Sequence, residues 1–430
     1  MELTYIFHSG FTIETERCIL VFDYWMDPAD VMSCILTAQK PIYVFSSHSH
    51  PDHFTRKIFA WKEKKDNITY ILSKDIQKHK RAQKEEADVW LAKGGTWEDE
   101  NIKVIATGSN DSGVSWIVET CGKRIFHAGD LCNWYARFLA EENVPETVES
   151  EEFGRINPKA EEKMFLGELK DIERVLKTLP PRPLERGLGG EADSFDLVMF
   201  PVDGRVGNGY TLGARQFIER FNVGMFVPMH FVMSGFESSW RMEPFCQEKN
   251  IPFWCIQKEG ESISLFDGIY IRQSRIDDIP TLQNIFAIAR KFMTDTGNPY
   301  QWTEDYPSDD LLKEDITSGD SYVIVRENKI IATFVLRGGI DPTYNVIYDG
   351  AWLNDLPYAT IHRIASNGEM KGIFGLAMQF ALQHYESIRI DTHADNKVMQ
   401  HTILKSGFKY CGIIHCWNGS ERLAYQYNKQ

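Results

Sequence analysis

Short apolar runs separated by turn-forming residues dominate the first part of the chain. Residues 3–7, 11–15 and 18–23 are rich in β-branched and aromatic side chains, which is typical of β-strands. Residues 41–46 are apolar enough to form a strand that is buried on both faces. Cys121-Gly122-Lys123 is typical of a hairpin turn. Further strands are predicted at residues 102–106, 115–120, 124–127, 196–201 and 224–229.

Between Ala136 and about Ala192 the pattern changes. This stretch is acidic and helix-prone, and it is interrupted by Pro180-Pro181-Arg182-Pro183 and by the glycine-rich residues 187–190. We predict helices followed by a flexible loop here. The loop is either a lid over a site or a solvated insertion.

A second pattern begins near Ile269. Residues 277–293 carry apolar side chains at positions 279, 282, 285, 286, 289 and 292, which lie on one face of a helix. Because 430 residues exceed one ordinary core, we divide the chain into domains at 1–267 and 268–430. The remaining elements predicted in the second domain are strands at 321–325, 329–336, 360–365, 388–391, 409–415 and 422–426, and helices at 372–384 and 398–406.

Composition narrows the classes of partner. The net charge of −14 disfavours binding to nucleic acid or to an anionic membrane, because both are polyanions. No apolar run has the length of a membrane span, and the first residues lack the layout of a signal peptide. The cysteines are scattered and form no Cys-x-x-Cys pair, which favours reduced thiols. We expect a cytoplasmic protein with small-molecule partners, and homo-oligomerisation stays open.

The run His48-Ser49-His50-Pro51-Asp52-His53 directly follows the apolar residues 41–46. Three imidazoles and a carboxylate are costly to place together unless a cation holds them, and metal ions take such ligands at about 2 Å. His48 and His50 can face one ion, whereas Asp52 and His53 lie on the next bend and can face a second. Two ions close together can activate water and polarise a scissile bond. Metal-dependent hydrolysis is therefore our first hypothesis.

Two distant motifs complete the pattern. Asp130 in His127-Ala128-Gly129-Asp130 could bridge both ions, and His230 in Val227-Pro228-Met229-His230 could complete the second. Together the three motifs resemble those of the metallo-β-lactamase-fold hydrolases, and Pro-Met-His most resembles their lactonase-like branch. The resemblance implies an αββα sandwich with its site at one sheet edge. It also implies a set of metal ligands: His48, His50, Asp52, His53, Asp130 and His230.

One position departs from this family's pattern. By register, Ser109 stands where the family has a third imidazole for the first ion, and the nearby Asp111 is the predicted substitute ligand. We expect one or two zinc ions, and the oxygen ligands would also suit manganese or iron. Asp52 is predicted to be catalytic as well as a ligand. The alternative is a metal-free relic of the fold.

Three neighbouring features have structural interpretations. His127 is expected to be a packed strand residue, since Asp130 three positions later fills the ligand role. His8 in His8-Ser9-Gly10 is also expected to be structural. Asp203-Gly204-Arg205 is either a simple turn or the source of a cation for an anionic substrate.

The chain from about Ile269 resembles the GNAT (GCN5-related N-acetyltransferase) family. The resemblance rests on the opening Ile271-Arg272-Gln273, the central strand at residues 361–365, the loop at residues 371–375, and the late motif at residues 390–396 followed by Lys405-Ser406-Gly407-Phe408. It implies acetyl-CoA as a co-substrate. The expected contacts with acetyl-CoA are Ile364, Ala365, Lys371, Gly372, Ile373, Gly375 and Asn396.

The physics of the loop supports this assignment, because free N–H groups at a helix N-terminus suit a pyrophosphate. Two positions depart from the family. Phe374 replaces a loop glycine and is expected to narrow the turn, and Ile403 replaces the usual tyrosine acid. Tyr410 and Tyr425, with Cys411 beside them, are the predicted substitutes that protonate the leaving thiolate. Tyr300, Trp302 and Tyr306 either line the acceptor pocket or pack in the core.

The sequence thus predicts an α/β protein of two domains, an αββα metallo-β-lactamase sandwich followed by a mixed α+β GNAT domain. We expect a bifunctional enzyme that hydrolyses a small ester, lactone, amide or phosphodiester and acetylates an amine. One alternative is an acetyltransferase with a degenerate binding or dimerisation module in front. The other is an active hydrolase with an acetyl-CoA sensor behind.

Overall fold

A computed structural model describes residues 1–139, 144–150, 154–179, 194–266, 269–326 and 328–429. The chain forms two compact units, Met1–Gly268 and Ile269–Gln430. The division into functional domains at 1–267 and 268–430 stays a prediction. The interrupted segments at residues 180–183 and 187–190, predicted as a loop or lid, lie outside the described residues.

The first unit is built mainly from strands. Its helices are α1 (Val31–Ile35), α2 (Lys74–Lys78), α3 (Ala136–Leu139), α4 (Pro158–Thr178), α5 (Leu212–Ile218), α6 (Phe236–Ser239) and α7 (Glu243–Glu248). Its strands are β1 (Glu2–Phe7), β2 (Gly10–Glu14), β3 (Ile19–Phe22), β4 (Ile42–Ser46), β5 (Ile68–Ser73), β6 (Val89–Leu91), β7 (Thr96–Glu98), β8 (Ile102–Gly108), β9 (Val114–Thr120), β10 (Lys123–His127), β11 (Val148–Ser150), β12 (Gly154–Ile156), β13 (Ser194–Phe195), β14 (Leu197–Pro201), β15 (Asn222–Val223), β16 (Phe226–Met229) and β17 (Ser262–Phe266).

Two mixed sheets form the centre of this unit. One has the order β17-β1-β2-β3-β4-β5-β6, with parallel pairing from β3 to β6, and the other has the order β16-β14-β10-β9-β8-β7, with β16, β14 and β10 parallel. The sheets face each other, because the Phe22 ring of β3 stacks on His127 of β10 at 5.0 Å and Phe45 of β4 lies 5.6 Å from Trp116 of β9. Alternate residues of each strand therefore enter a shared core.

Helices cover the outer faces of both sheets. Ile19 and Val21 of β3 point away from the shared core and pack with Ile58 and Ile76 of the helical layer. On the other sheet, Phe126 of β10 stacks on Phe217 of α5 at 5.0 Å. The apolar face of α4, which buries Phe165, Leu169, Ile172 and Leu176, has the helical spacing that buries one stripe. The predicted αββα layering of the first unit is confirmed.

The described residues of the second unit form one sheet and four α-helices. Its strands are β18 (Ile269–Gln273), β19 (Ser321–Arg326), β20 (Lys329–Gly338), β21 (Ala359–Ser366), β22 (Ser387–Thr392), β23 (Lys409–His415) and β24 (Glu421–Asn428). Its helices are α8 (Ile279–Asp295), α9 (Asp309–Thr317), α10 (Ile373–His384) and α11 (Lys397–Lys405). The predicted strand and helix order is confirmed, and β18 and α9 are additions that the sequence pattern did not predict.

The strand order in this unit is β18-β19-β20-β21-β22-β24-β23. All neighbours are antiparallel except β21 and β22, which run parallel. These two pair only at Ala359 with Ile388 and at Thr360 with Arg389, and no further pair joins their described residues. The two strands therefore part after Thr360 and leave the later residues of β21 without a strand partner on that side.

Candidate functional site

The candidate metal centre of the first unit lies where several strands end. His48 follows β4, Asp23 follows the parallel neighbour β3, and Asp130 follows β10. Asp203 and His230 follow β14 and β16, which run parallel to β10. The carboxyl ends of parallel strands meet at one sheet edge, so distant parts of the sequence deliver polar side chains to the same place.

The first group of donors comes from His48, His50 and Asp130. His48 Nε2 lies 3.0 Å from His50 Nδ1 and 3.1 Å from Asp130 Oδ2. His50 Nδ1 lies 3.9 Å from the same carboxylate oxygen. Atoms that share a divalent ion are about 3.0 to 3.5 Å apart, given bond lengths near 2 Å. The spacing of this group therefore approximates that of one ion's ligands.

The second group contains His8, Asp52, His53 and His230, whose donor atoms lie within 4.8 Å of one another. His53 Nε2 and His230 Nε2 lie 3.0 and 3.4 Å from Asp130 Oδ1. Asp52 Oδ2 lies 3.9 Å from His230 Nε2. The other oxygen of Asp130 faces the first group, so this carboxylate joins the two groups, as the bridging role predicted for it requires.

Several donor atoms of the second group lack a hydrogen-bond partner. His53 Nε2, His230 Nε2 and Asp130 Oδ1 are buried, and although the two nitrogens lie 3.0 and 3.4 Å from the oxygen, none of the three atoms makes a hydrogen bond of normal geometry with a described residue. Such orphaned atoms are costly unless something absent from the protein chain satisfies them. The donor chemistry and the convergence fit a divalent metal ion.

Outer residues fix the orientation of the ligand imidazoles. Asp23 Oδ2 accepts from His53 Nδ1 at 2.6 Å, and Asp203 Oδ2 lies 3.0 Å from His230 Nδ1. Ser47 Oγ donates to Asp23 at 2.6 Å and lies 3.0 Å from His48 Nδ1. With Nδ1 held in this way, His48, His53 and His230 each direct Nε2 to the centre of the site. Carboxylates behind ligand histidines are a common feature of metal sites.

The electrostatics of the site favour ionised carboxylates. Burial opposes ionisation of Asp130, but His53, His48 and His230 outweigh it and hold its pKa well below the usual range. Burial lowers the pKa of His8 to about 4, so its imidazole is neutral near pH 7. The neighbouring Asp130 carboxylate is the main reason why the pKa of His50 is raised. The site therefore concentrates negative charge beside imidazole nitrogens, as a cation site does.

Asp111 lies outside both groups. It is exposed, and neither group of convergent donors includes its carboxylate. Its role as a substitute for the imidazole missing at Ser109 stays a prediction. His127, expected to be structural, is buried and uses both ring nitrogens locally, with Nε2 2.9 Å from Ser9 O and Nδ1 accepting from Gly129 N.

Sequence reasoning missed three contributors to this site. His8 was set aside as structural, yet the structure places it within the second group. Asp23 was not singled out, and Asp203 was considered only as part of a turn. Asp23 had a detectable signal, because it ends the strand that precedes the strand carrying the histidine run. His8 had none, since its position depends on the pairing of β1 with β2.

In the second unit, the parting of β21 and β22 defines the candidate acetyl-CoA site. Ile364 and Ala365 lie on β21 beyond its last pair with β22. Backbone groups facing the opening have no strand partner there, and a ligand with amide groups could pair with them. The predicted positions of Ile364 and Ala365 are thus suited to the pantetheine role, which stays a prediction.

The N-terminus of α10 follows β21 directly. Gly372 has φ 86° at the N-cap and a Cβ there or at Gly375 would meet no atom within 4 Å. The open space lies beside the free N–H groups of the first helical turn, which include that of Ile373, and the exposed Lys371 precedes them. Phe374 was expected to narrow this turn, but it is buried and packs 6.0 Å from Phe408.

Asn396 caps α11. Its side-chain oxygen accepts from Met399 N at 3.0 Å, and its amide donates to Gln301 Oε1 at 2.9 Å. Ile403, in place of the family's tyrosine, is fully buried. The N-terminus of α11 is therefore capped by a side chain, whereas that of α10 begins at a glycine without a side-chain cap.

The predicted thiolate acids lie next to each other on β23 and β24. Tyr410 and Tyr425 are directly paired, with ring centroids 5.6 Å apart. Tyr410 is 48% exposed, whereas Tyr425 is buried, and burial raises its pKa. The Tyr425 phenol is therefore protonated near neutral pH, as an acid must be. Their contact with a thioester stays a prediction.

The three aromatic residues of the predicted acceptor loop have different environments. Tyr300 is 81% exposed. Trp302 packs 5.6 Å from Phe286 of α8, and Tyr306 lies 5.9 Å from Trp302. Tyr300 is therefore free to contact a ligand, while Trp302 has the packing of a core residue on the side facing α8.

The sequence did not predict a histidine–carboxylate pair that lies near the point where β21 and β22 part. His362 of β21 lies 2.9 Å from Asp341 Oδ2, and the other oxygen of Asp341 accepts from Thr343 N and Oγ1 at 2.9 and 2.7 Å. The Tyr344 ring meets the His362 ring edge-on at 6.0 Å. The pair lies two residues beyond Thr360, the last point at which β21 pairs with β22.

Several solved structures are similar to parts of this chain. No protein-family model and no curated protein matches the chain. A GNAT-family acetyltransferase structure from Streptococcus agalactiae is 32% identical, with a TM-score of 0.36, and the match covers 39% of this chain and 98% of that one. The chain belongs, over that part of its length, to the GNAT family. The matched share of the chain is close to the share that the second unit occupies, and this unit is called the GNAT unit below.

Metallo-hydrolases are also among the structural neighbours. Igni18, a metallo-hydrolase from Ignicoccus hospitalis, is 14% identical with a TM-score of 0.41, and the match covers 62% of this chain and 98% of that one. A candidate metal-dependent hydrolase from Parabacteroides distasonis is 16% identical with a TM-score of 0.37, covering 59% and 90% of the two chains.

Among the described residues, no helix combines the length and the apolar character needed to cross a membrane.

Proposed function

We propose that the first unit is a metal-dependent hydrolase of a small ester, lactone, amide or phosphodiester. The observation that supports this is the pair of donor groups joined by Asp130, with buried donor atoms that no described residue satisfies. His48 and His50 with Asp130 would hold one ion, while His53 and His230 with Asp52 and Asp130 would hold the other. Zinc is the expected metal, and manganese or iron also suits this mixture of nitrogen and oxygen donors.

A bound ion supplies polarisation of the scissile group and activation of water. The protein's own residues prepare the site for this chemistry. Asp23 and Asp203 orient His53 and His230, and Trp134 donates to Asp130 O at 2.9 Å beside the His230 ring. The Asp52 side chain is 31% exposed and is the most accessible donor of its group, so it is the residue expected to contact water and substrate.

A hydrolysis screen tests this proposal. The protein is loaded with zinc or with manganese and assayed on chromogenic esters, lactones and phosphodiesters. We expect turnover that is lost with Asp52→Asn and with chelator, and restored by metal. Asp66→Asn, an exposed change near the opposite end of the sheet, is the control and should leave turnover unchanged. Turnover that survives both chelation and Asp52→Asn would contradict the proposal.

We further propose that the GNAT unit transfers an acetyl group from acetyl-CoA to an amine. The supporting observation is the parting of β21 and β22 beside the open N-terminus of α10. Ile364 and Ala365 would pair with the pantetheine arm. The pyrophosphate would lie at Lys371, Gly372, Ile373 and Gly375, and Asn396 would hold the adjoining helix in place.

In the transfer, the amine attacks the thioester carbon and the thiolate leaves with a proton. Tyr410 or Tyr425 would supply that proton, and Tyr300, Trp302 and Tyr306 would line the acceptor side. The acceptor would be a small molecule or a protein amine, and the protein would act in the cytoplasm. Calorimetric titration with acetyl-CoA, followed by thiol release over a panel of amines, tests the proposal. Binding without turnover on any amine would favour a sensor.

A second candidate function is favoured by one observation. The first donor group has three members, and the His50 side chain is 43% exposed. A front unit that binds no metal would instead be a binding or dimerisation module for an acetyltransferase. Metal analysis of the purified protein decides between them, since less than about half an equivalent cannot support metal-dependent hydrolysis.

A further inference from the structure

His8 occupies an unusual backbone position at the turn between β1 and β2. Its φ is 57°, in the left-handed region that β-carbon-bearing residues rarely adopt. His230, a predicted metal ligand, has φ 63° and its ring centroid lies 4.0 Å from that of His8. Such conformations cost about 1 kcal/mol or more and persist where the surroundings hold them, often at functional sites.

The ring of His8 is buried, and the protein satisfies it poorly. Nδ1 makes no hydrogen bond with a described residue, and Nε2 has only an ion-pair contact with Asp52 whose geometry falls short of a normal hydrogen bond. His127, by comparison, is equally buried and satisfies both nitrogens locally, as a structural histidine does. Hydrogen bonds within the fold therefore do not explain why an imidazole is buried at position 8.

The unsatisfied nitrogen points to the second donor group. His8 Nε2 lies 3.3 Å from Asp52 Oδ2, a spacing expected for two atoms that share one ion. His53 Nε2, His230 Nε2 and Asp130 Oδ1 are buried and unsatisfied at the same place. With His8, five side chains contribute to this group, against three for the first group.

We propose that His8 is a direct metal ligand in the second group, and that this group is therefore the tighter of the two ion sites. Its five protein donors would leave few positions for water on a bound ion. The first group, which lacks an imidazole at Ser109, keeps open positions and exchanges its ion more readily. Closed sites are typical of firmly held ions and open ones of exchangeable, catalytic ions. This inference rests on the proposed metal binding.

A metal titration of the full-length protein tests the inference. Apo protein is titrated with zinc in competition with a chromophoric chelator, and separately with cobalt(II), whose visible spectrum reports the ligand set. The test variant is His8→Asn, because asparagine tolerates left-handed backbone. His230→Asn, at a matching φ, is the positive control, and His401→Asn, on the exposed face of α11, controls for loss of an imidazole.

We expect His8→Asn and His230→Asn each to weaken the tighter ion at least about tenfold and to change the cobalt(II) spectrum. His48→Asn should weaken only the more loosely held ion. A His8→Asn protein with the parent affinity would overturn the inference, as would a weaker site with an unchanged cobalt(II) spectrum, since His8 would then act through Asp52. If the parent binds less than about half an equivalent of metal, the proposed hydrolase function fails as well.

Discussion

Asp23 offers the sharpest test of how the metal site is built. Its carboxylate is fully buried and accepts from Ser47 N at 2.7 Å, from Ser47 Oγ at 2.6 Å and from His53 Nδ1 at 2.6 Å. The bond from His53 places the imidazole proton on Nδ1 and leaves Nε2 free to bind metal. The change Asp23→Asn keeps the size and suits the φ of 38° at this position.

The asparagine amide can present a donor where the carboxylate accepted. His53 would then accept at Nδ1 and carry its proton on Nε2, the atom that faces Asp130. Loss of an orienting partner of this kind typically costs about 10- to 100-fold in metal affinity, which is about 1.4 to 2.8 kcal/mol. We expect a loss in this range for the ion of the second group, and little change for the ion held by His48 and His50.

Competition with a chelator, with metal counted per chain by elemental analysis, measures this effect. Asp75→Asn is the matched control, because Asp75 accepts from Ser49 N at 2.9 Å within the same motif but holds no ligand imidazole. Near-ultraviolet circular dichroism confirms that both variants are folded. An Asp23→Asn protein that binds both ions within about threefold of the parent would refute the argument that Asp23 sets the tautomer of His53.

Three further predictions concern the GNAT unit. Gly375→Ala should raise the unfolding free energy by about 0.5 to 1 kcal/mol, because alanine favours a helix more than glycine does. The same change should weaken acetyl-CoA binding at least about tenfold by calorimetry, because the added methyl group fills the space beside the helix N-terminus. The control Gly167→Ala in α4 should stabilise the protein without affecting binding. Burial opposes ionisation of Asp341, but its hydrogen bonds outweigh burial and lower its pKa. The parent should therefore be more stable than Asp341→Asn by a constant amount above pH about 4, and this difference in unfolding free energy should disappear as the pH falls further. Urea unfolding over a pH series measures it. Trp302→Ala should cost about 2 kcal/mol and Tyr300→Ala less than about 0.5 kcal/mol, by urea unfolding; equal losses would contradict the core packing of Trp302.

Local sequence patterns were sufficient for much of the site. The run from His48 to His53 is continuous, so its spacing alone indicates a ligand loop. Asp130 and His230 could be found because each directly follows an apolar run, and strand ends are where such residues gather. The structure brings all six expected ligands together, while Asp111 stays outside both groups.

The site residues that were not predicted owe their positions to the order of the strands in the sheet. Apolar patterns along the sequence do not reveal that order. Asp23 reaches His53 because β3 and β4 are parallel neighbours, and His8 reaches Asp52 because of how β1 enters the sheet. In the GNAT unit, His362 and Asp341 meet across a long connection between β20 and β21. Helix α9 was missed because it is short and mostly polar, with Leu312 as its main buried apolar residue.

The central claim is that Asp130 joins two groups of donors that hold metal. A crystal of the zinc-loaded protein, measured on both sides of the zinc absorption edge, tests it most directly. We predict an anomalous peak at about 2 Å from His53 Nε2, His230 Nε2 and Asp130 Oδ1, with a second, weaker peak beside His48. The absence of any peak among these side chains in the presence of excess zinc would contradict the claim.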